Sequence, residues 1–270
     1  MAEERTLVSF DWAIKYLLKN KANYVILEGF LTTLLGREIK VKNLTDPEGG
    51  QASEKDRSNR VDVLAEEDDG TLIIIELQFS QEIDYFHRMA FGSSKAIIDH
   101  ISKGMLYSEV RKVYSIHIVY FELGVGEDYI YYGSTNFVGL HGRDELELSP
   151  RQKEMFLFSE VREIFPEYYI LKVERFRDIV KDKLDEWMYY LKHSVVRSGF
   201  DAPGLSAANE LLEYSRLSRE DKLRYDWYVD KWRSNVSSIN TARDEGKAEG
   251  KAEGKAEGLA EGKARGKAEG

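Results

Sequence analysis

The sequence predicts an α/β fold with a mostly helical C-terminal extension, and three observations carry that reading. Apolar residues near the N-terminus recur at helical spacing, short β-branched and aromatic runs follow, and helical periodicity returns after Ser149. The order α, β, β, β, α, β and then helices describes an α/β core with an appendage. Composition sets off the last segment, so the expected division is a core over 1–148, a helical extension over 149–243 and a repeat tail over 244–270.

Each element has a local reason. Phe10, Trp12, Ile14, Leu17 and Leu18, then Tyr24, Ile26, Leu27, Phe30, Leu31, Leu34 and Leu35, follow a 3.6-residue period that stops at Gly36. Residues 38–44 alternate, and 61–65 and 71–79 read as a hairpin about EEDDG. A helix is expected over 83–101, followed by strands at 113–121 (VYSIHIVYF) and 129–132 (YIYY). Ser149-Pro150 is an N-cap followed by proline at the first helical position. A strand over 168–174 returns to the sheet, and 177–194 and 218–232 are amphipathic helices, the latter with Ser218 as N-cap.

Bulk properties exclude several classes. At 42% hydrophobic, with twelve Phe and sixteen Tyr, the chain is globular rather than disordered. It has no cysteine, which removes disulfides, cysteine-based zinc sites and a thiol nucleophile, and fits a reducing, cytoplasmic setting. The start MAEERTLVSF lacks a signal-peptide pattern, and no apolar run approaches the ~20 residues of a membrane span. No P-loop, G-x-S-x-G or G-x-G-x-x-G is present, so no small-molecule cofactor is expected. The histidines at 87, 100, 117, 141 and 193 lack metal-ligand spacing, and His117, inside a strand, reads as a packed core residue.

The net charge of -9 resides in the body, because Glu245–Gly270 holds six Glu against five Lys and one Arg. Such a balance argues against a general nucleic-acid surface and leaves room for a local cleft. Arg37, Lys40, Lys42, Lys55, Arg57 and Arg60 are the nearest basic group, interleaved with Glu38, Asp46, Glu48, Glu54 and Asp56. In the tail, a four-residue repeat sets like charges at i, i+4 and opposite charges at i, i+2, where they do not meet. Its seven glycines remove about 6 kcal/mol of helical preference relative to alanine. Disorder is therefore expected there; the other reading is a Gly/Ala stripe along which copies pack into a homo-oligomer.

The stretch RVDVLAEEDDGTLIIIELQFS poses the chemical question. A turn near Asp68 pairs Asp62 with Ile74 or Ile75, and strand alternation then sets Glu76 and Gln78 on one face of the partner strand. Three isoleucines before Glu76 imply a strand buried on both faces, where a charge is costly. Two readings stand open from the residues alone: a solvated strand end, or two carboxylates sharing a hard cation such as Mg²⁺.

These residues carry a resemblance. Asp62, a turn and an apolar strand ending Glu76-Leu77-Gln78 resemble the PD-(D/E)xK nuclease superfamily. With FDWAIKYLL, YFHRMAFGSSK, LDEWMYYLKHS and the Glu-Gly-Lys-rich tail, the chain resembles the recombination-promoting nuclease (Rpn) and transposase family within it. The resemblance implies a restriction-endonuclease-like core and Mg²⁺-dependent cleavage of DNA, with Mn²⁺ or Ca²⁺ as other candidate ions. The setting would be transposition, recombination or phage defence. It assigns Asp62 and Glu76 to the metal, with the Leu77 carbonyl as a further ligand, and puts Gln78 in the lysine position as a water-orienting amide. Two departures stand out: Gln78 lacks the lysine charge, and Val61 replaces the proline expected before the first acid. The rival reading is a catalytically inactive nuclease fold acting as an interaction or assembly module.

Gln81 and Tyr85 also match a Q-x-x-x-Y helix found in some exonucleases of the superfamily, and Arg88 and Lys95 extend that stripe. Ile83, Phe86, Ala90, Ser94, Ile97 and Ile101 form the opposite face. If that apolar face is the core face, the stripe points to solvent or DNA and only Gln81 nears the site. Trp187, Met188 and Tyr190 read as core rather than as a base-stacking platform.

Overall fold

The computed structural model describes residues 7–16, 21–45 and 62–268. Lys55, Arg57, Arg60 and Val61 therefore lie outside the described residues, as do Leu17 and Leu18. Two units divide at Leu217/Ser218.

The first unit is built on a six-stranded sheet of order β1-β2-β3-β4-β6-β5. Its strands are β1 (Val41–Thr45), β2 (Val63–Glu67), β3 (Leu72–Gln78), β4 (Val113–Val119), β5 (Ile130–Gly133) and β6 (Glu167–Lys172). β3, β4 and β6 run parallel at the centre, and antiparallel pairs close both sides. Parallel central strands are covered on both faces, which is why β3 and β4 are buried along nearly their whole length rather than on alternate residues. The expected boundary at 148/149 cuts through this unit: β6 lies inside the sheet, so the core needs residues from beyond Ser149.

Helices α1 (Phe10–Tyr16), α2 (Tyr24–Leu35), α3 (Tyr85–Asp99), α4 (Pro150–Phe156), α5 (Lys183–His193) and α6 (Leu205–Leu211) complete the unit. α2 stops where the sequence predicts: Gly36 adopts φ 67° and its N–H caps Thr32 O. Thr32 Oγ1 and Glu28 Oε1 accept from the N–H groups of Ile39 and Val41 at 3.0 and 2.9 Å, which fixes the entry into β1. Ser149 caps α4 reciprocally with Gln152. α5 begins at Lys183, later than the expected 177, because Asp182 accepts from Leu184 and Asp185 N–H and sets the start.

Phe10, Phe30, Trp187 and Tyr190 pack edge to face, with centroids 5.3–6.0 Å apart. All four are fully buried, so the N-terminal helices and α5 share one core. α2 meets the turn before α6 so closely that a Cβ on Gly29 would lie 2.4 Å from the Pro203 carbonyl group. Gly29→Ala is therefore expected to destabilise the unit by about 1–3 kcal/mol, measured as a lower urea midpoint.

The second unit is α7 (Arg219–Ala268). Ser218 Oγ accepts from Asp221 N–H at 3.1 Å, as its expected N-cap role requires. The expected disorder of 244–270 is corrected: helix continues through the tail to Ala268. Nucleation is the costly step of helix formation, and residues 219–243 already supply it. Each tail residue then adds one hydrogen bond, and Ala, Glu and Lys propagate well enough to carry the glycines.

Candidate active site

The hairpin brings the two acids together. Its turn is made by Gly70 at φ 86°, by Gly70 N–H to Glu67 O at 3.1 Å and by Asp69 Oδ1 accepting from Thr71 N–H at 2.8 Å. Val63 pairs with Ile75, one to two residues further along than the expected register, and Asp62 stands just before the strand. Alternation then points Leu64, Ile74, Glu76 and Gln78 toward α3, and Leu64 and Ile74 pack there with Ala96 and Ile97. Asp62 Oδ2 accepts from Leu77 N–H at 2.8 Å. A strand residue's N–H and C=O point to the same side, so the Leu77 carbonyl also faces β2.

Glu76 is 5% exposed and is held by groups from α3 and β4. It lies in register with His117, whose Nδ1 is 3.4 Å from Glu76 Oε2. Tyr85 O–H donates to the same oxygen at 3.4 Å and lies 3.1 Å from His117 Nδ1. Ser115 Oγ meets His117 Nε2 at 2.8 Å, so the polar chain runs unbroken from β4 to Glu76. On the outer side Arg88 Nη2 donates to Glu76 Oε1 at 3.2 Å.

These contacts set the ionisation of the site. Burial pushes the Glu76 carboxyl up, but the hydrogen bond and charge of His117 and the charge of Arg88 outweigh it, holding the group below its ordinary 4.5. Burial, with the Glu76 carboxylate beside it, pushes the Tyr85 phenol well above its ordinary value, so it remains a neutral donor. A folded-state value below the unfolded one means that Glu76 adds stability above about pH 4.5 and loses it as pH falls through the folded value. Urea midpoints of the wild type and Glu76→Gln should therefore differ most at neutral pH and converge as the pH falls below 4.5.

Gln78 is placed differently from Asp62 and Glu76. Its amide donates to Glu82 Oε1 at 2.7 Å and to Ser80 O at 3.3 Å, turning outward to the start of α3. The facing of α3 is also a correction. Tyr85, Met89, Ser93 and Ala96 are its buried residues, whereas Ile83 is fully exposed and Phe86 is half exposed. The sheet beneath offers polar groups, so it selects the polar stripe: Ser93 Oγ meets Tyr168 O–H at 2.7 Å, and Tyr85 reaches Glu76. Gln81 is exposed. Sequence reasoning thus missed Tyr85, Arg88, Glu82, Ser115 and His117. The Q-x-x-x-Y spacing was the available signal for Tyr85; for His117 it was only a polar residue inside an apolar strand.

A family model described as PD-(D/E)XK nuclease family transposase matches residues 8–242. The chain belongs to this family. For a PD-(D/E)XK nuclease family transposase, the six-stranded mixed sheet is the restriction-endonuclease-like fold. Searches of curated proteins and of solved structures returned no significant match.

PD-(D/E)XK nucleases generally use divalent metals. Among the described residues no three His, Cys, Asp or Glu side chains form a metal-binding group. What the site offers is two carboxylates and one carbonyl, a donor set that suits Mg²⁺, which takes one or two carboxylates and keeps waters and substrate phosphate as its other ligands. It does not suit zinc, whose structural sites close around four side-chain ligands.

Proposed function

We propose that the chain is a metal-dependent DNA endonuclease that hydrolyses phosphodiester bonds in a transposase-like or recombination-promoting role. Asp62, Glu76 and the Leu77 carbonyl would hold the ion, Mg²⁺ first among the candidates. The observation that supports the reading is the hydrogen bond from Leu77 N–H to Asp62 Oδ2, which keeps Asp62 next in space to the strand residue that follows buried Glu76. Bound there, the cation would lower the pKa of the attacking water and offset charge on the phosphate.

The protein's residues do the rest. Leu77 N–H fixes the Asp62 carboxylate at 2.8 Å, and Tyr85 and His117 orient Glu76. In the reaction one water oxygen bonds to phosphorus, one phosphorus–oxygen ester bond breaks, and the leaving oxygen takes up a proton. The products are a phosphomonoester and an alcohol. The rival reading, a non-catalytic assembly module, draws on the -9 charge and on an outward-turned Gln78 that brings no cation.

Supercoiled plasmid incubated with the protein and Mg²⁺, Mn²⁺, Ca²⁺ or EDTA separates the two. Nicking that requires the metal and is lost in Asp62→Ala is expected. Nicking that is absent, or that survives both Asp62→Ala and Glu76→Ala, rejects the proposed site.

A further inference from the structure

The lysine position is filled by an amide, yet the site has a cation of its own. Arg88 spans two carboxylates: Nη2 donates to Glu76 Oε1 at 3.2 Å, and Nη1 donates to Glu82 Oε1 and Oε2 at 2.9 and 3.3 Å. Glu82 Oε1 also accepts from Gln78 at 2.7 Å, so Gln78, Glu82, Arg88 and Glu76 form one chain. The Arg88 side chain is 32% exposed and that of Glu76 is 7% exposed. The guanidinium therefore lies at the open end of the site, where a phosphate would approach.

We propose that Arg88 supplies from α3 the phosphate-facing positive charge that Gln78 cannot, and that in the absence of metal it neutralises Glu76. This rests on the nuclease reading above. Glu82 makes the exchange workable: it anchors Nη1, so when Nη2 leaves Glu76 the guanidinium stays at the site with donors free for a phosphate oxygen. A planar guanidinium with five donors suits that task. Gln78 becomes a positioning residue, holding Glu82 and through it Arg88, rather than the group that orients water.

A purely structural Arg88 would matter for folding and then become dispensable once a cation sits on Glu76. The proposal requires two effects of opposite sign. Calorimetric titration of the full chain with Mn²⁺, without DNA, should show Arg88→Ala binding about tenfold more tightly, because a competing positive charge beside Glu76 is gone. At saturating Mn²⁺ the same variant should cleave plasmid about 10²-fold more slowly, the typical loss for one donor to developing charge. Arg88→Lys should recover part of that rate. Glu82→Gln, which keeps the shape and loosens the anchor, should slow cleavage while binding Mn²⁺ about as the wild type does, and it stands in if Arg88→Ala does not fold. Wild-type cleavage rates at saturating Mn²⁺ in both Arg88→Ala and Glu82→Gln, or weaker Mn²⁺ binding by a folded Arg88→Ala, overturn the proposal and leave the nuclease reading intact. A wild-type chain that neither binds Mn²⁺ nor cleaves overturns both.

Discussion

Glu76→Ala is expected to lower metal-dependent DNA cleavage by about 10²–10³-fold, the scale on which removing a charge-stabilising group acts. The residue is 5% exposed, yet it is held ionised, and that combination is costly unless partners repay it. Arg88, His117 and Tyr85 are those partners, on both carboxylate oxygens. The substitution removes one of the two carboxylates proposed to hold the cation and leaves Asp62 as the other. Arg88 keeps Glu82, so the fold should survive at a cost of about 1–3 kcal/mol, the penalty of leaving buried polar partners unmatched. Plasmid cleavage rates and urea midpoints on the same preparations check both statements. A folded Glu76→Ala with wild-type cleavage would remove Glu76 from the mechanism.

Trp187→Ala should be the most damaging core change, at about 3–5 kcal/mol. The indole is fully buried and meets Phe10, Phe30 and Tyr190 edge to face, with centroids at 5.7, 5.3 and 5.8 Å. Its N–H donates to Pro203 O at 3.1 Å, which ties α5 to the turn before α6. Truncation leaves a cavity among three rings and strands that carbonyl. Trp187→Phe retains most of the packing and should cost less. For a unit of this size the alanine variant should melt lower by about 10 °C or more, read from near-ultraviolet circular dichroism.

What could be read from the chain follows the range of the interactions involved. The hairpin is a local object: its turn and its apolar run were legible, with the register off by one or two residues. The Gly36 stop and the Ser149 and Ser218 caps were also legible, because each is decided within four residues. His117 was read as ordinary core because its meeting with Glu76 depends on β4 lying parallel beside β3, and no local pattern declares that. α3 offered two plausible stripes, and the greasier one lost because the sheet beneath it is polar at Glu76, His117 and Tyr168. The tail was misread for a related reason: propensities of an isolated segment omit the helix already formed ahead of it.

The claim on which the account turns is that Asp62 and Glu76 hold one divalent cation between them. Fe²⁺ bound in place of the natural ion, with ascorbate and peroxide, generates radicals that cut the backbone next to the metal. Mass spectrometry of the fragments should place the cuts beside Asp62 and within Glu76–Gln78, suppressed by excess Mg²⁺ and lost in Asp62→Ala. Cuts confined to other segments, or cuts at these positions that persist in Asp62→Ala, would contradict it.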